Sequence, residues 1–294
     1  NRWKNRAAPD LSGRWTLAGH RPGRGDFTGR MEVRALGGDR YEASYDIAWA
    51  DGTHESGKGG SVLYTGYEWR GTATVGAETR DEILSVAADG NRIAGRWHLK
   101  GQEGVGGEMV AVRGPAQVAA VSPAYLKRGQ PTRLTIAGSG LSGAPGLGAG
   151  VKVTRVLASS PESVTVMAVA AKTAKAGPRD VAVGEARARN ALTVYDRIDS
   201  VRVEPAVMVA RNGDNGGPVP GALAQFEAVA YAKGDLRIGP MPARWSARPA
   251  DETAREERDV EFGGTLSPQG LFTPGVAGPN PARGGANNSA NLQV

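Results

Sequence analysis

The 294-residue chain contains no cysteine. It therefore carries no disulfide, no thiolate-held zinc or iron–sulfur cluster, and no Cys-x-x-Cys-His attachment for a covalent haem. The absence leaves the compartment open, because a chain of this length buries enough apolar surface to fold without disulfide staples. No window reaches the roughly 18 consecutive apolar residues of a membrane-crossing helix, and no basic, apolar, small-residue signal segment is present. The chain reads as soluble. Its start at Asn1-Arg-Trp3, with no initiator Met, predicts a processed or truncated product whose targeting segment has been removed. Only three histidines occur, and charged residues make up 22% of the chain.

What the chain has in abundance is glycine and proline, 43 and 18 residues respectively, together with Val, Thr and Ala. That mixture favours short strands and frequent turns over long helices and predicts an all-β protein. The length suits two or three units of roughly 100 residues each. The formal charge of +6 is uneven: residues 115–195 hold 10 Lys/Arg against 3 Asp/Glu, whereas the segments on either side are close to neutral. Arginine outnumbers lysine 28 to 8, a bias that a GC-rich genome also produces, which weakens any argument for a selected basic surface.

The first unit, residues 1–114, follows the polar entry Asn5-Arg-Ala-Ala-Pro-Asp10. It holds two similar phrases, Leu11-Ser-Gly-Arg-Trp-Thr-Leu17 and Ile93-Ala-Gly-Arg-Trp-His-Leu99. Leu11, Trp15 and Leu17 share one parity, as do Ile93, Trp97 and Leu99, and so each set lies on one face of a strand. Further strand signals recur at about ten-residue spacing between them. The Gly-rich segments Gly37-Gly-Asp39, Asp51-Gly52, Gly57-Lys-Gly-Gly60 and Asp89-Gly-Asn91 read as hairpin turns. About eight antiparallel strands, with Gly-Arg-Trp near the first and again near the seventh, predict an up-and-down β-barrel ending in Gly107–Arg113.

Gly114-Pro115 opens the second unit, residues 115–195. Ser122-Pro123 starts its pattern, Arg128-Gly-Gln130 turns, and Leu134-Thr-Ile136 alternates as a half-buried strand. Val151–Thr154, Ser163–Met167, Val181–Val183 and Ala191–Tyr195 continue the alternation, with Ala168–Ala176 read as a turn because Gly177-Pro178 follows. Seven or so short strands in about 80 residues fit an immunoglobulin-like sandwich. The third unit, residues 196–294, shows strands at Ile198–Pro205, Ala224–Tyr231 and Ala243–Ala247, with Trp245 placed as the buried tryptophan of a second such sandwich. Thr265–Gly275 reads as a hairpin turning at Ser267–Gly270. The strand signal at Ala290–Val294 runs to the last residue, which predicts truncation or disorder beyond it.

The search for chemistry returns few candidates. His20, His54 and His98 would have to converge to bind a metal or share a proton, but His20 and His54 sit in loop-like sequence and His98 faces away from Trp97. They read as solvated or structural. Asp81-Glu82 are adjacent on a strand and point to opposite faces, Glu256-Glu257 belong to the mixed-sign run Asp251–Asp259 of a solvated loop or short helix, and Asn212-Gly-Asp-Asn-Gly-Gly217 lacks the frame of a calcium loop. Tyr41, Tyr45, Trp49, Tyr64, Tyr67 and Trp69 could stack on sugars, though packing within the barrel accounts for most of them. Lys127, Arg128, Lys172, Lys175, Arg179, Arg187 and Arg189 could meet phosphates or, equally, an acidic protein. No catalytic, cofactor-binding or metal-ligating residue is assigned.

Val121-Ser-Pro123, Thr132-Arg-Leu-Thr-Ile-Ala-Gly-Ser-Gly-Leu141 and Gly177-Pro-Arg-Asp-Val-Ala-Val183 resemble the IPT/TIG type of Ig-like domain. Taken with Leu11-Ser-Gly-Arg-Trp15, Leu192-Thr-Val-Tyr-Asp196, Gly270-Leu-Phe-Thr-Pro274 and Gly278-Pro-Asn-Pro281, the whole chain resembles the last three domains of the quinohemoprotein amine dehydrogenase alpha subunit. The resemblance implies a periplasmic heterotrimer that oxidises primary amines, in which a β-propeller subunit and a small subunit bearing cysteine tryptophylquinone join an alpha subunit whose N-terminal domain holds haem c. This chain departs from that pattern in having no Cys-x-x-Cys-His, so no haem or quinone residue carries over. The expectation is a non-haem scaffold that docks partner subunits. A carbohydrate-binding or adhesion protein is the alternative.

Overall fold

The structure, a computed structural model, describes residues 9–213 and 219–294. The first part forms eight strands: β1 (Gly13–Arg21), β2 (Gly25–Gly37), β3 (Arg40–Trp49), β4 (His54–Tyr64), β5 (Glu68–Val75), β6 (Glu78–Val86), β7 (Arg92–Leu99) and β8 (Gln102–Val112). Each pairs antiparallel with the next, and β1 returns to β8 between Thr16↔Val112 and His20↔Glu108, closing the barrel. Period-two patterning decides which side chains enter it. Trp15, Leu17, Phe27, Met31, Tyr45, Trp49, Trp69 and Trp97 are all buried in one core. The interior is thus filled with side chains.

Near one end of the barrel Trp15 donates its indole N–H to the Leu11 carbonyl at 3.0 Å, while the Arg113 guanidinium lies 4.4 Å from the Trp15 ring centroid. Towards the opposite end Arg24 covers Trp49 at 3.8 Å and pairs with Glu55. Each cation lies against an aromatic ring face, where the ring's negative quadrupole favours it.

Gly57 to Gly60 do not form the expected turn. They lie within β4, and a Cβ at Gly57 would come within 2.0 Å of the Thr74 carbonyl oxygen on β5. Glycine here permits close approach of two strands, not reversal of the chain. The other three Gly-rich segments do contain turns, at residues 38–39, 50–52 and 88–89.

The middle part carries β9 (Gln117–Ser122), β10 (Tyr125–Lys127), β11 (Thr132–Ser139), β12 (Pro145–Gly146), β13 (Val151–Ser159), β14 (Ser163–Ala170), β15 (Gly177–Val183) and β16 (Ala186–Tyr195). Two four-stranded sheets, ordered β10-β16-β15-β12 and β13-β14-β11-β9, share a core that includes Leu126, Leu134, Ile136, Val166, Val181 and Val194. Of Ala168–Ala176, expected as a turn, Ala168–Ala170 instead complete β14, and residues 172–173 form the turn.

The last part has β17 (Ser200–Glu204), β18 (Ala224–Gln225), β19 (Glu227–Ala232), β20 (Leu236–Pro240), β21 (Arg248–Pro249), α1 (Glu252–Glu256), α2 (Asp259–Phe262), β22 (Gly264–Leu266), β23 (Leu271–Pro274) and β24 (Leu292–Gln293). They build sheets β17-β19-β20, β18-β23-β22 and β21-β24. The hairpin at Ser267–Gly270 is present between β22 and β23. Trp245 departs from expectation: it lies in an irregular segment, is half-buried, and has its ring where a Cβ on Gly270 would stand, at 2.8 Å. The charged run forms the two short helices, and within it Asp259 is buried. Its carboxylate accepts from Arg283 and from the Asn291 backbone N–H.

Candidate functional site

The barrel interior and a cleft outside its wall each concentrate polar groups. Inside, Arg80 and Glu82 share the inward parity of Leu84 and Val86 on β6, and both are almost wholly buried. The Arg80 Nε donates to Glu82 Oε1 at 3.0 Å, while Tyr45 Oη and Trp69 Nε1 donate to Glu82 Oε2 at 2.7 and 3.3 Å. Asp81 points outward to Thr72, as adjacent strand residues must. Burial and the adjacent Glu82 charge push the Tyr45 phenol well above its ordinary value, so it stays protonated and donating. The network is closed, which marks it as structural.

The cleft, of about 870 Å³, lies against the outward faces of β1, β2, β7 and β8. Its other walls come from Ser122–Tyr125 and from Glu227 and Arg237–Pro240. On its wall the His20 Nδ1 meets Asp26 Oδ1 at 2.6 Å and Nε2 meets Glu227 Oε1 at 2.7 Å. Ser122 donates its hydroxyl to the other Asp26 oxygen. Barrel, middle sheets and final sheets therefore meet at the His20–Asp26 pair, Glu227 on the imidazole and Ser122 on the carboxylate. Burial alone pulls His20 down, but the hydrogen bonds and charges of Asp26 and Glu227 outweigh it and raise the pKa to about 9. Burial pushes Asp26 up, and the bonds from His20 and Ser122 more than reverse this, holding it below the usual carboxylate range.

This arrangement does not perform nucleophilic catalysis. Activating a serine requires its hydroxyl to point at a neutral imidazole, whereas Ser122 points at Asp26 and His20 is already protonated at neutral pH. Both imidazole nitrogens are occupied. The group works as a charged clamp.

Other contacts join the same parts. Gln102 on β8 donates to the Gly221 carbonyl at 2.9 Å and accepts from the Leu223 N–H at 2.8 Å, while Arg30 on β2 meets Glu162 at 2.6 Å. Ile238 and Ala230 of the final sheets share a small core with Tyr195 of the middle sheets.

The other candidates do not converge. His20 is not in a loop but on β1, and its partner Glu227 had no signal in the sequence. His54 begins β4 and is exposed, and His98 on β7 contacts the Leu99 carbonyl at 3.2 Å. Tyr41, Tyr45, Trp49 and Trp69 are inside the barrel and form no sugar platform, as the packing reading expects. Glu256 and Glu257 are exposed. Among the basic residues, Arg179 bonds the carbonyls of Ala149, Gly177 and Pro178, so it is structural. Residues 214–217 of the Asn212–Gly217 loop lie outside the described residues, and Asn212 itself donates to the Gly275 and Asn288 carbonyls. Among the described residues no three His, Asp or Glu side chains gather as a metal site.

Three family models cover almost the entire chain. Domain II of the quinohemoprotein amine dehydrogenase alpha subunit matches residues 8–114, domain III residues 115–196 and domain IV residues 201–294. The chain belongs to the quinohemoprotein amine dehydrogenase alpha-subunit family. No curated protein matches it. Among solved structures, the redesigned β-barrel mFAP0 bound to DFHBI is 13% identical, with TM-score 0.31, over 35% of this chain and 98% of that one. The redesigned barrel b11L5F_LGL is 16% identical, with TM-score 0.32, over 36% and 92%.

A quinohemoprotein carries haem and a quinone, and the residues of this alpha-subunit chain fit neither haem c nor cysteine tryptophylquinone. Thioether attachment of haem c and the cross-link of that quinone both require cysteine, and the chain has none. The His20 nitrogens are committed to carboxylates.

Proposed function

We propose that these three domains are the non-haem scaffold of a periplasmic amine dehydrogenase, docking a β-propeller subunit and a small quinone-bearing subunit so that electrons from amine oxidation reach haems held elsewhere. The middle domain acts as an Ig-like spacer of the IPT/TIG type. The observation that carries the reading is the junction at His20, where polar groups that would otherwise be reactive are used to hold three parts of the chain together. A scaffold for electron transfer needs fixed geometry, and charge-assisted bonds at an interface supply orientation more than affinity.

Co-expression with the two partner subunits tests it. The chain should co-purify with at least one of them, and by itself it should reduce no dye in the presence of a primary amine. Failure to co-purify with either, or amine-dependent reduction by the chain alone, overturns the proposal.

A further inference from the structure

A second cleft, of about 510 Å³, opens between β9 and β16 beside the start of β7. Its lining includes Arg92, Gln117, Arg187 and Arg189, and contains no Asp or Glu. Arg92 is half-buried, yet neither it nor Arg187 nor Arg189 has an ion pair or side-chain hydrogen bond among the described residues. Burial alone pulls the Arg92 guanidinium below its usual value, with no carboxylate to offset it. A partly desolvated guanidinium without a partner is costly, and an incoming anion removes that cost.

The backbone around the cleft is also unfinished. β9 is the last strand of its sheet, paired only to β11. β16 meets β10 only at Thr193–Tyr195, which leaves Ala186–Leu192 unpaired on that side. Free strand edges accept an extended segment through main-chain hydrogen bonds, and pockets for alternate side chains select it.

We infer that this cleft receives an extended acidic segment of another polypeptide, which adds to the β9 edge and places its carboxylates against Arg92, Arg187 and Arg189. The open edge favours a peptide over a small oxyanion, because an oxyanion would use the arginines and leave the edge unpaired. The inference deepens the docking reading, on which it rests for taking another polypeptide as the occupant.

Fluorescence polarisation with a short labelled peptide alternating Glu and Val provides the test on this chain. That alternation puts every carboxylate on one face of the strand. The expected result is binding that weakens as salt rises, falls about tenfold or more in Arg92→Gln and in the exposed pair Arg187→Gln with Arg189→Gln, and recovers in part in Arg92→Lys. Removing Lys152 and Arg155, exposed on β13, should leave it unchanged. Equal binding of the Lys and Val counterpart, or equal loss in the β13 variant, overturns the assignment. So does Arg92-dependent binding of inorganic phosphate without binding of the peptide. The two proposals separate cleanly: peptide binding without co-purification of subunits removes the docking reading alone, and co-purification that survives Arg92→Gln without peptide binding removes the cleft alone.

Discussion

The Nε2 of His20 and the Oε1 of Glu227 lie 2.7 Å apart although 207 positions separate them in the chain. With Asp26 at 2.6 Å on the other ring nitrogen, the imidazolium joins barrel to final sheets. Its protonation is coupled to their association.

This coupling has a sign. The His20 pKa is raised from 6.5 to about 9, so its contribution is complete below the pH at which the unfolded histidine titrates and is lost as pH rises through about 9. The full effect is at most roughly 3 to 4 kcal/mol. In urea unfolding, the stability difference between the parent chain and His20→Gln should shrink from pH 6 to pH 10. A constant difference would show that the clamp carries no net charge effect. Asp26 acts in the opposite direction, its contribution fading as pH falls into and below the carboxylate range.

Glu82→Gln should destabilise the barrel by about 3 to 5 kcal/mol, since it strands the Arg80 guanidinium among Tyr45, Trp97 and Met109. Replacing Arg80 as well, Arg80→Met with Glu82→Gln, should recover most of the loss, because the Gln amide oxygen still accepts from Tyr45 and Trp69. Thermal unfolding of the single and double variants measures this, and additive losses would contradict it.

Gly57→Val should cost about 1 to 3 kcal/mol through overpacking against the Thr74 carbonyl of β5. The equivalent change at Gly60, where a Cβ meets nothing within 4 Å, should cost far less. Comparing the two denaturation midpoints distinguishes a glycine packed against the neighbouring strand from one that faces open space.

Trp69→Ala should cost about 3 to 5 kcal/mol, because the indole is fully buried and donates to Glu82. Its loss should appear as lower thermal stability. A variant of parent stability that had lost binding to a glycan array would instead place the ring on the surface.

Much of the architecture was legible as a linear pattern. Alternation in Arg40–Trp49 determined a strand with Tyr41, Tyr45 and Trp49 on one face, and the repeated Gly-Arg-Trp placed the first and seventh strands of a closed barrel. The burial of Arg80 and Glu82 was not read from the sequence, although they share the parity of Leu84 and Val86, because charged residues invite a solvent assignment. Trp245 was misplaced because an aromatic in Ala243–Ala247 reads as a strand centre, whereas its ring lies against the distant turn at Gly270.

The sequence by itself determined secondary-structure type and sidedness, since these follow from backbone sterics and a period of two. Tertiary structure alone decided the junction. His20, Asp26, Glu227 and Arg92 occupy outward, polar positions that one-dimensional patterning cannot tell from solvent-facing ones. Only the packing of neighbouring sheets against the outer wall of the barrel removes enough water to give those charges their partners, or to leave one without.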